Sequence, residues 1–380
     1  MLRILLLDLD EVLIEQVAYH ESLKGCVGMV GRWCGFESVR LTDEDIALFE
    51  SLGVTSEWDS SAMCAALLLD RAWSVDPRFR LPVSPDAPNG RLHGLPTPDF
   101  QSFFRETLER GVSGIEARRL TEQRLLQAKP HTRAQRHALQ AMLREAYDTR
   151  CSLTNRIIQE VNLGASEFEA CYGLPAALPG QGLLRTLDQP LISQQQAALL
   201  IEWNQAPGKR AVVFTNRLSR FPDRTRGAPE AEIGLARTGL SALPFISMGH
   251  LDWLCEQRGL EPQSLLKPSP VHALAALRLA LGDSVGEALA VAAALGLDQQ
   301  DIGGWRALDG AHAIVFEDSF RGLQSARGAQ HSLEQVGVRL ALDLRGVTTR
   351  EVKRRALELA GGTVYPDFPS AARDVLPTAV

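Results

Sequence analysis

The sequence lacks the features that mark several functional classes. Its six cysteines (Cys26, Cys34, Cys64, Cys151, Cys171 and Cys255) lie far apart and form no Cys-x-x-Cys pair, so a reduced, cytoplasmic protein with unpaired thiols is expected. There is no positive excess either. Forty Lys and Arg against forty-six Asp and Glu leave a net charge of −6, and no basic-aromatic stripe runs along the chain. Nothing therefore points to nucleic acid as a partner. Long apolar runs are missing too. The N-terminal run reaches only Leu7 before Asp8, too short for a signal peptide or a membrane span. No internal repeat or low-complexity tract is visible. What is present, 380 residues with 45% hydrophobic and 23% charged, is the composition of a globular protein. The length suits about two to three domains.

Short apolar runs ending in polar residues recur, the first of them opening on Arg3. Residues 3–7 stop at Asp8, Ala211–Phe214 stops at Thr215-Asn216, and Ala313–Phe316 stops at Glu317-Asp318. Val338–Leu342 before Asp343, and Thr363–Tyr365 before Pro366, are two further candidates. Such runs suit strands buried on both faces of a parallel sheet. Helical patterns at Gln194–Trp203, Val271–Leu281 and Arg350–Ala360 separate them. The expected fold is therefore α/β, a Rossmann-like doubly wound parallel sheet. Between the first strand and the rest the texture changes to helix-rich, with apolar periodicity in Phe100–Leu108, Ala134–Tyr147 and Ile157–Val161 and a loop over Pro82–Pro98. The expected domains are 1–14 with 190–380 as the sheet core, and 15–189 as a mostly helical insertion. From Gln101 to Arg156 eleven Lys/Arg face six Asp/Glu, a local positive excess that suits an anionic substrate.

In such sheets, ligands bind at the carboxyl ends of the strands. Asp8 and Asp10 emerge together at the end of the first. One carboxylate there can attack as a nucleophile, and the other can protonate a leaving oxygen and later deprotonate water. Against a phosphate ester the pair needs a divalent cation, and Glu317-Asp318 offers the carboxylates to hold it. Thr215 contributes a hydroxyl and Asn216 an amide suited to phosphate oxygens. Lys267, in Leu265-Leu266-Lys267-Pro268-Ser269-Pro270, contributes fixed positive charge.

Taken in order, these segments resemble the haloacid dehalogenase (HAD) superfamily, on its phosphatase side. Leu5-Leu6-Leu7-Asp8-Leu9-Asp10-Glu11-Val12-Leu13 is similar to the first family motif, and Val212-Val213-Phe214-Thr215-Asn216 to the second. Lys267-Pro268-Ser269-Pro270 is similar to the lysine motif. Val315-Phe316-Glu317-Asp318-Ser319, followed by Gly322, Ala326 and Gly328, is similar to the fourth motif of the phosphoglycolate phosphatase and beta-phosphoglucomutase branch. The likeness covers residues 1–14 and about 190–375, and fades across the insertion. It implies an aspartyl-phosphate on Asp8, with Asp10 as general acid and base and its main-chain carbonyl on Mg²⁺. It gives Thr215, Lys267 and the Asn216 backbone amide the phosphoryl group to hold. Asp8, Asp10, Glu317 and Asp318 would form the metal site.

The chain departs from that pattern in three places. Glu11 stands where many relatives have glycine, Lys267 and Glu317 lie 50 positions apart where relatives use about half that separation, and the insertion is larger than the usual cap of this branch. The surplus near Ser284–Gly310, with its apolar Ala288–Leu297 run, reads as an added helix with loops. In the cap, Arg32, Arg105, Arg118, Arg119 and His137 are candidates to meet a leaving group. The expected activity is Mg²⁺-dependent hydrolysis of a small phosphorylated metabolite, without nucleic-acid or membrane partners. The alternatives are a phosphomutase acting on a sugar phosphate, and a catalytically idle scaffold that binds a partner.

Overall fold

The computed structural model describes residues 1–86, 92–109, 111–223 and 226–376. It is an α/β protein that divides into two compact units, Met1–Gln16 with Asp188–Val380, and Val17–Leu187.

The first unit is built on a parallel sheet. Its strands, with a small separate ladder, are β1 (Arg3–Leu7), β2 (Ile14–Glu15), β3 (Gln189–Pro190), β4 (Lys209–Phe214), β5 (Phe245–Ile246), β6 (His312–Glu317), β7 (Ala341–Val347) and β8 (Thr363–Tyr365). The sheet order is β5-β4-β1-β6-β7-β8 and every pairing in it is parallel, while β2 and β3 pair antiparallel on their own. From β1 the chain builds outward through β4 to β5, then returns to β6 on the other side of β1. The direction therefore reverses between β1 and β6, the place where parallel α/β sheets open a crevice at their carboxyl ends.

Central position explains why β1 is apolar and buried from Ile4 to Leu7. Leu5 pairs with Ala211 on one side and Ile314 on the other, and both sheet faces are covered. Ile4 and Leu6 join one apolar cluster with Val212, Phe214, Val315 and the Pro270–Leu281 helix. Leu5 and Leu7 join the other, with Val213, Phe316 and the Gln194–Gln205 helix. This period-2 alternation into two cores is what a strand covered on both faces requires. The Pro270–Leu281 helix starts on a Ser269 cap with Pro270 in its first turn, and ends at Gly282 in the left-handed region. It is apolar nearly all round because a second layer covers it. The Val285–Gly296 helix, opened by a Ser284–Glu287 capping box, packs on its outer side, and Trp305 is fully buried in the same cluster. The surplus segment is thus a second helical layer on one sheet face.

Two strands depart from the sequence reading. The stretch Val338–Leu342 was expected to be a strand ending at Asp343, but β7 runs Ala341–Val347 with Asp343 inside it. Arg345, two residues on, shares a face with Asp343 and holds its carboxylate at 2.6 Å, while also donating to Asp374. A charged pair satisfied inside the strand looked like a polar stop. β5, only two residues long, carries no periodicity to read.

The second unit is helical. Among its described residues are nine helices, from Val17–Trp33 to Leu183–Thr186, and no strand longer than an isolated bridge. Glu57–Trp73 is buried along almost its whole length and packs against Val17–Trp33 and Leu153–Leu163. The charges it draws inside are paired, as burial demands. Asp59 meets Arg118 at 2.7 Å, and Asp70 meets His131 at 2.7 Å and Lys129 at 3.1 Å. The Pro82–Pro98 loop has neither helix nor strand over 82–86 and 92–98, and its residues 87–91 lie outside the described set. Among the described residues no helix is long and apolar enough to cross a membrane.

Candidate active site

The carboxyl ends of β1, β4 and β6 carry Asp8, Thr215 and Glu317. Asp8 extends the ladder by donating its backbone N–H to Phe316 O at 2.9 Å, and Thr215 does the same toward Ile246 O at 2.9 Å. Both residues are therefore placed by sheet hydrogen bonds rather than by loop conformation. Lys267 comes from the turn before the Pro270–Leu281 helix. Its Nζ donates to Asp8 Oδ1 at 2.8 Å and to Glu317 Oε2 at 2.7 Å, and lies 4.0 Å from the centre of the Phe214 ring. All three charged residues are buried. An ammonium shared by two carboxylates, over an aromatic face, compensates charge that cannot reach water.

Glu317 is fixed from its other oxygen. Ser319 gives its hydroxyl at 2.7 Å and its backbone N–H at 3.2 Å to Oε1, and the same hydroxyl caps the Phe320–Gln335 helix by accepting from Gly322 N. Only glycine fits at 322, because an added Cβ would lie 1.9 Å from Glu317 Oε2. Asp318, next along, accepts from Lys353 Nζ at 2.5 Å. Asp8, Glu317 and Asp318 each bring one oxygen within 4.8 Å of the others, a buried group able to hold a metal ion.

Three carboxylates here face two ammonium groups, so the cluster is short of positive charge. Burial, together with the Glu317 charge, pushes the Asp8 carboxyl well above the usual carboxylate range against the pull of Lys267. Burial likewise raises Asp318 to about 6, with Lys353 working the other way. For Lys267, burial opposes its charge, but Asp8 and Glu317 outweigh it and hold the amine above its ordinary pKa. Such a set of hard oxygen donors fits Mg²⁺, whose charge would relieve the excess.

Asp10 belongs to a second cluster. Arg217 Nε and Nη2 both donate to Asp10 Oδ1, at 2.8 and 2.6 Å, and Nη2 also reaches Asp188 Oδ2 at 2.9 Å. The Arg217 backbone N–H donates to Thr215 Oγ1 at 3.1 Å, which leaves that hydroxyl's proton to donate elsewhere. Asn216 Oδ1 is buried without a hydrogen-bond partner among the described residues. Glu11 has φ +57, a left-handed conformation that favours glycine, and its carboxylate accepts from Gln16 N at 3.2 Å.

Of the residues singled out in the sequence, Asp8, Lys267 and Glu317 touch directly and Asp318 completes the acid group. Asp10 is turned to Arg217, and among the described residues Asn216 makes no side-chain hydrogen bond to the acid group. In the helical unit Arg118 is engaged with Asp59 and with Leu143 O, Arg119 with Glu116, and Arg105 with Gln101; Arg32 and His137 are exposed. Four site residues escaped the sequence reading. Arg217 directly follows Thr215-Asn216, a signal that was available. Ser319 carries a signal only as the last residue of the Val315–Ser319 motif. Asp188 and Lys353 carry no local signal and are recruited by tertiary structure alone. The chain matches no protein-family model, no curated protein and no solved structure.

Proposed function

We propose that this chain is a HAD-type phosphatase that hydrolyses a small phosphorylated metabolite through an aspartyl-phosphate on Asp8. The observation that carries the reading is the Asp8–Lys267–Glu317 bridge at the sheet's reversal point, beside Asp318. It joins a nucleophile, a phosphate-holding cation and a metal-capable acid group at the carboxyl ends of β1 and β6.

In the first step Asp8 attacks phosphorus and the bond to the leaving oxygen breaks, with Asp10 giving that oxygen its proton. In the second, water attacks the same phosphorus, Asp10 takes its proton, and the Asp8 carboxylate and phosphate separate. Lys267, 2.8 Å from Asp8, balances the transferring group's charge, and the Thr215 hydroxyl donates to one of its oxygens. Asp8, Glu317 and Asp318, with the Asp10 main-chain carbonyl, would hold Mg²⁺, which supplies charge neutralisation between carboxylate and phosphate. The family resemblance gives the helical unit the role of a cap that selects the leaving group and excludes water.

The test is phosphate release from a panel of phosphorylated metabolites and one aryl phosphate, with Mg²⁺ and with chelator. Release that needs Mg²⁺ supports the reading. Phosphoryl exchange between sugar positions without free phosphate supports a mutase instead, and inertness toward every ester refutes both.

A further inference from the structure

We infer that Arg217 is a positioning residue that aims Asp10, and that buried Asp188 is its anchor. The inference rests on the phosphatase reading and deepens it, since it concerns how the proton-transfer carboxylate is held. The guanidinium side chain is 1% exposed and Asp188 is fully buried, whereas Asp10 keeps 19% exposure. The ion pair thus has a rigid inner end and an open outer end. An arginine cannot shed its charge, and its planar fork fixes direction as well as distance. Here the fork does not straddle the Asp10 carboxylate. Nε and Nη2 converge on Oδ1, and Oδ2 makes no hydrogen bond among the described residues. One oxygen is clamped and the other is left to exchange a proton with the leaving group and with water.

The inner end is fixed from several sides. Asp188 takes Arg217 Nη2 on its carboxylate and Arg237 Nε on its backbone carbonyl at 2.7 Å. The Arg217 backbone is held at both ends, donating to Thr215 Oγ1 and accepting from Met248 N at 3.0 Å. Glycine at 234 makes the room, because a Cβ there would sit 3.1 Å from Arg217 Nη1 and 2.9 Å from Leu9 Cδ2. Asp188 also directly precedes β3, which pairs with β2 just beyond Asp10 and Glu11. The carboxylate is therefore tied to the sheet core by a chain of directed bonds, Asp10–Arg217–Asp188.

General acid help matters in proportion to how poor the leaving oxygen is. A nitrophenolate departs from 4-nitrophenyl phosphate without a proton, whereas an alkoxide from a simple alkyl phosphate needs one. The experiment measures kcat/KM for both esters, which reports the first phosphoryl transfer, in wild type, Arg217→Lys, Arg217→Gln, Asp188→Asn and Asp10→Asn, with thermal unfolding of each. The expected result for Arg217→Gln is a fall of about 10-fold or more in the alkyl-to-aryl ratio, within the span that general acid catalysis commonly contributes. Arg217→Lys is expected to restore part of that ratio, and Asp188→Asn to move it the same way by less. Arg217→Lys keeps the buried charge and decides the matter if Arg217→Gln does not fold. Equal losses on both esters, or no loss, would overturn the proposal and leave Arg217 a structural ion pair. A wild-type protein inert toward these two esters and toward every ester of the metabolite panel refutes the phosphatase reading itself, and the proposal with it.

Discussion

Replacing Lys267 by methionine keeps the four-atom stem of the side chain and removes the ammonium that two buried carboxylates share. Each contact, at 2.8 Å to Asp8 and 2.7 Å to Glu317, amounts to about 6 kcal/mol of Coulomb attraction at an effective dielectric of ~20. Most of that is offset by the cost of bringing lysine and carboxylates out of water, and removing one partner of a buried pair commonly destabilises by about 3–5 kcal/mol. That is the loss expected for Lys267→Met in chelator, measured by urea unfolding. The same argument predicts a compensation. Asp8 and Glu317 then lack their shared counter-charge, so Mg²⁺ held by them together with Asp318 at ~100-fold over its dissociation constant returns about 2.7 kcal/mol. A loss below about 1 kcal/mol in chelator, or a variant indifferent to Mg²⁺, refutes the reasoning.

Two further outcomes follow from the geometry. Gly322→Ala gains about 1 kcal/mol of helix propensity, but its Cβ would lie 1.9 Å from Glu317 Oε2, so overpacking wins: the variant is expected to be less stable by about 1–2 kcal/mol and to bind Mg²⁺ more weakly by calorimetry, and a stabilised variant with unchanged affinity contradicts this. Burial depresses the His250 imidazole from 6.5 to about 4, so the unfolded chain binds more protons than the native one between those values, and this share of stability is complete above 6.5 and lost as the pH falls toward 4. His250→Gln should therefore lose about 2 kcal/mol less than wild type between about pH 7.5 and about pH 5 in urea unfolding, and equal losses in the two proteins contradict the assignment.

The strands that place the site were legible for a physical reason. β1, β4 and β6 are central and covered on both faces, so they read as unbroken apolar runs, and the polar residue after each run falls at the sheet's carboxyl end. Asp8, Thr215 and Glu317 were visible on that ground alone. Lys267 stood out through its place among the motifs, because a lysine before a proline has no signal of its own. The failures share a cause as well. Asp343 looked like a strand end because its partner Arg345 lies two residues on, and Asp188 and Lys353 reach the site only through tertiary contacts. The orientation of Asp10 toward Arg217 is a fact of side-chain packing between residues 207 positions apart, beyond any local pattern.

The most direct test of the central claim is to look for phosphate on Asp8. The protein is mixed with an aryl phosphate and Mg²⁺, quenched in acid within one turnover, and digested for mass spectrometry. The account predicts one phosphoryl group on the peptide that contains Asp8, discharged on longer incubation and absent from Asp8→Asn. Phosphate release with no acyl-phosphate on that peptide, or a label on another residue, would contradict it.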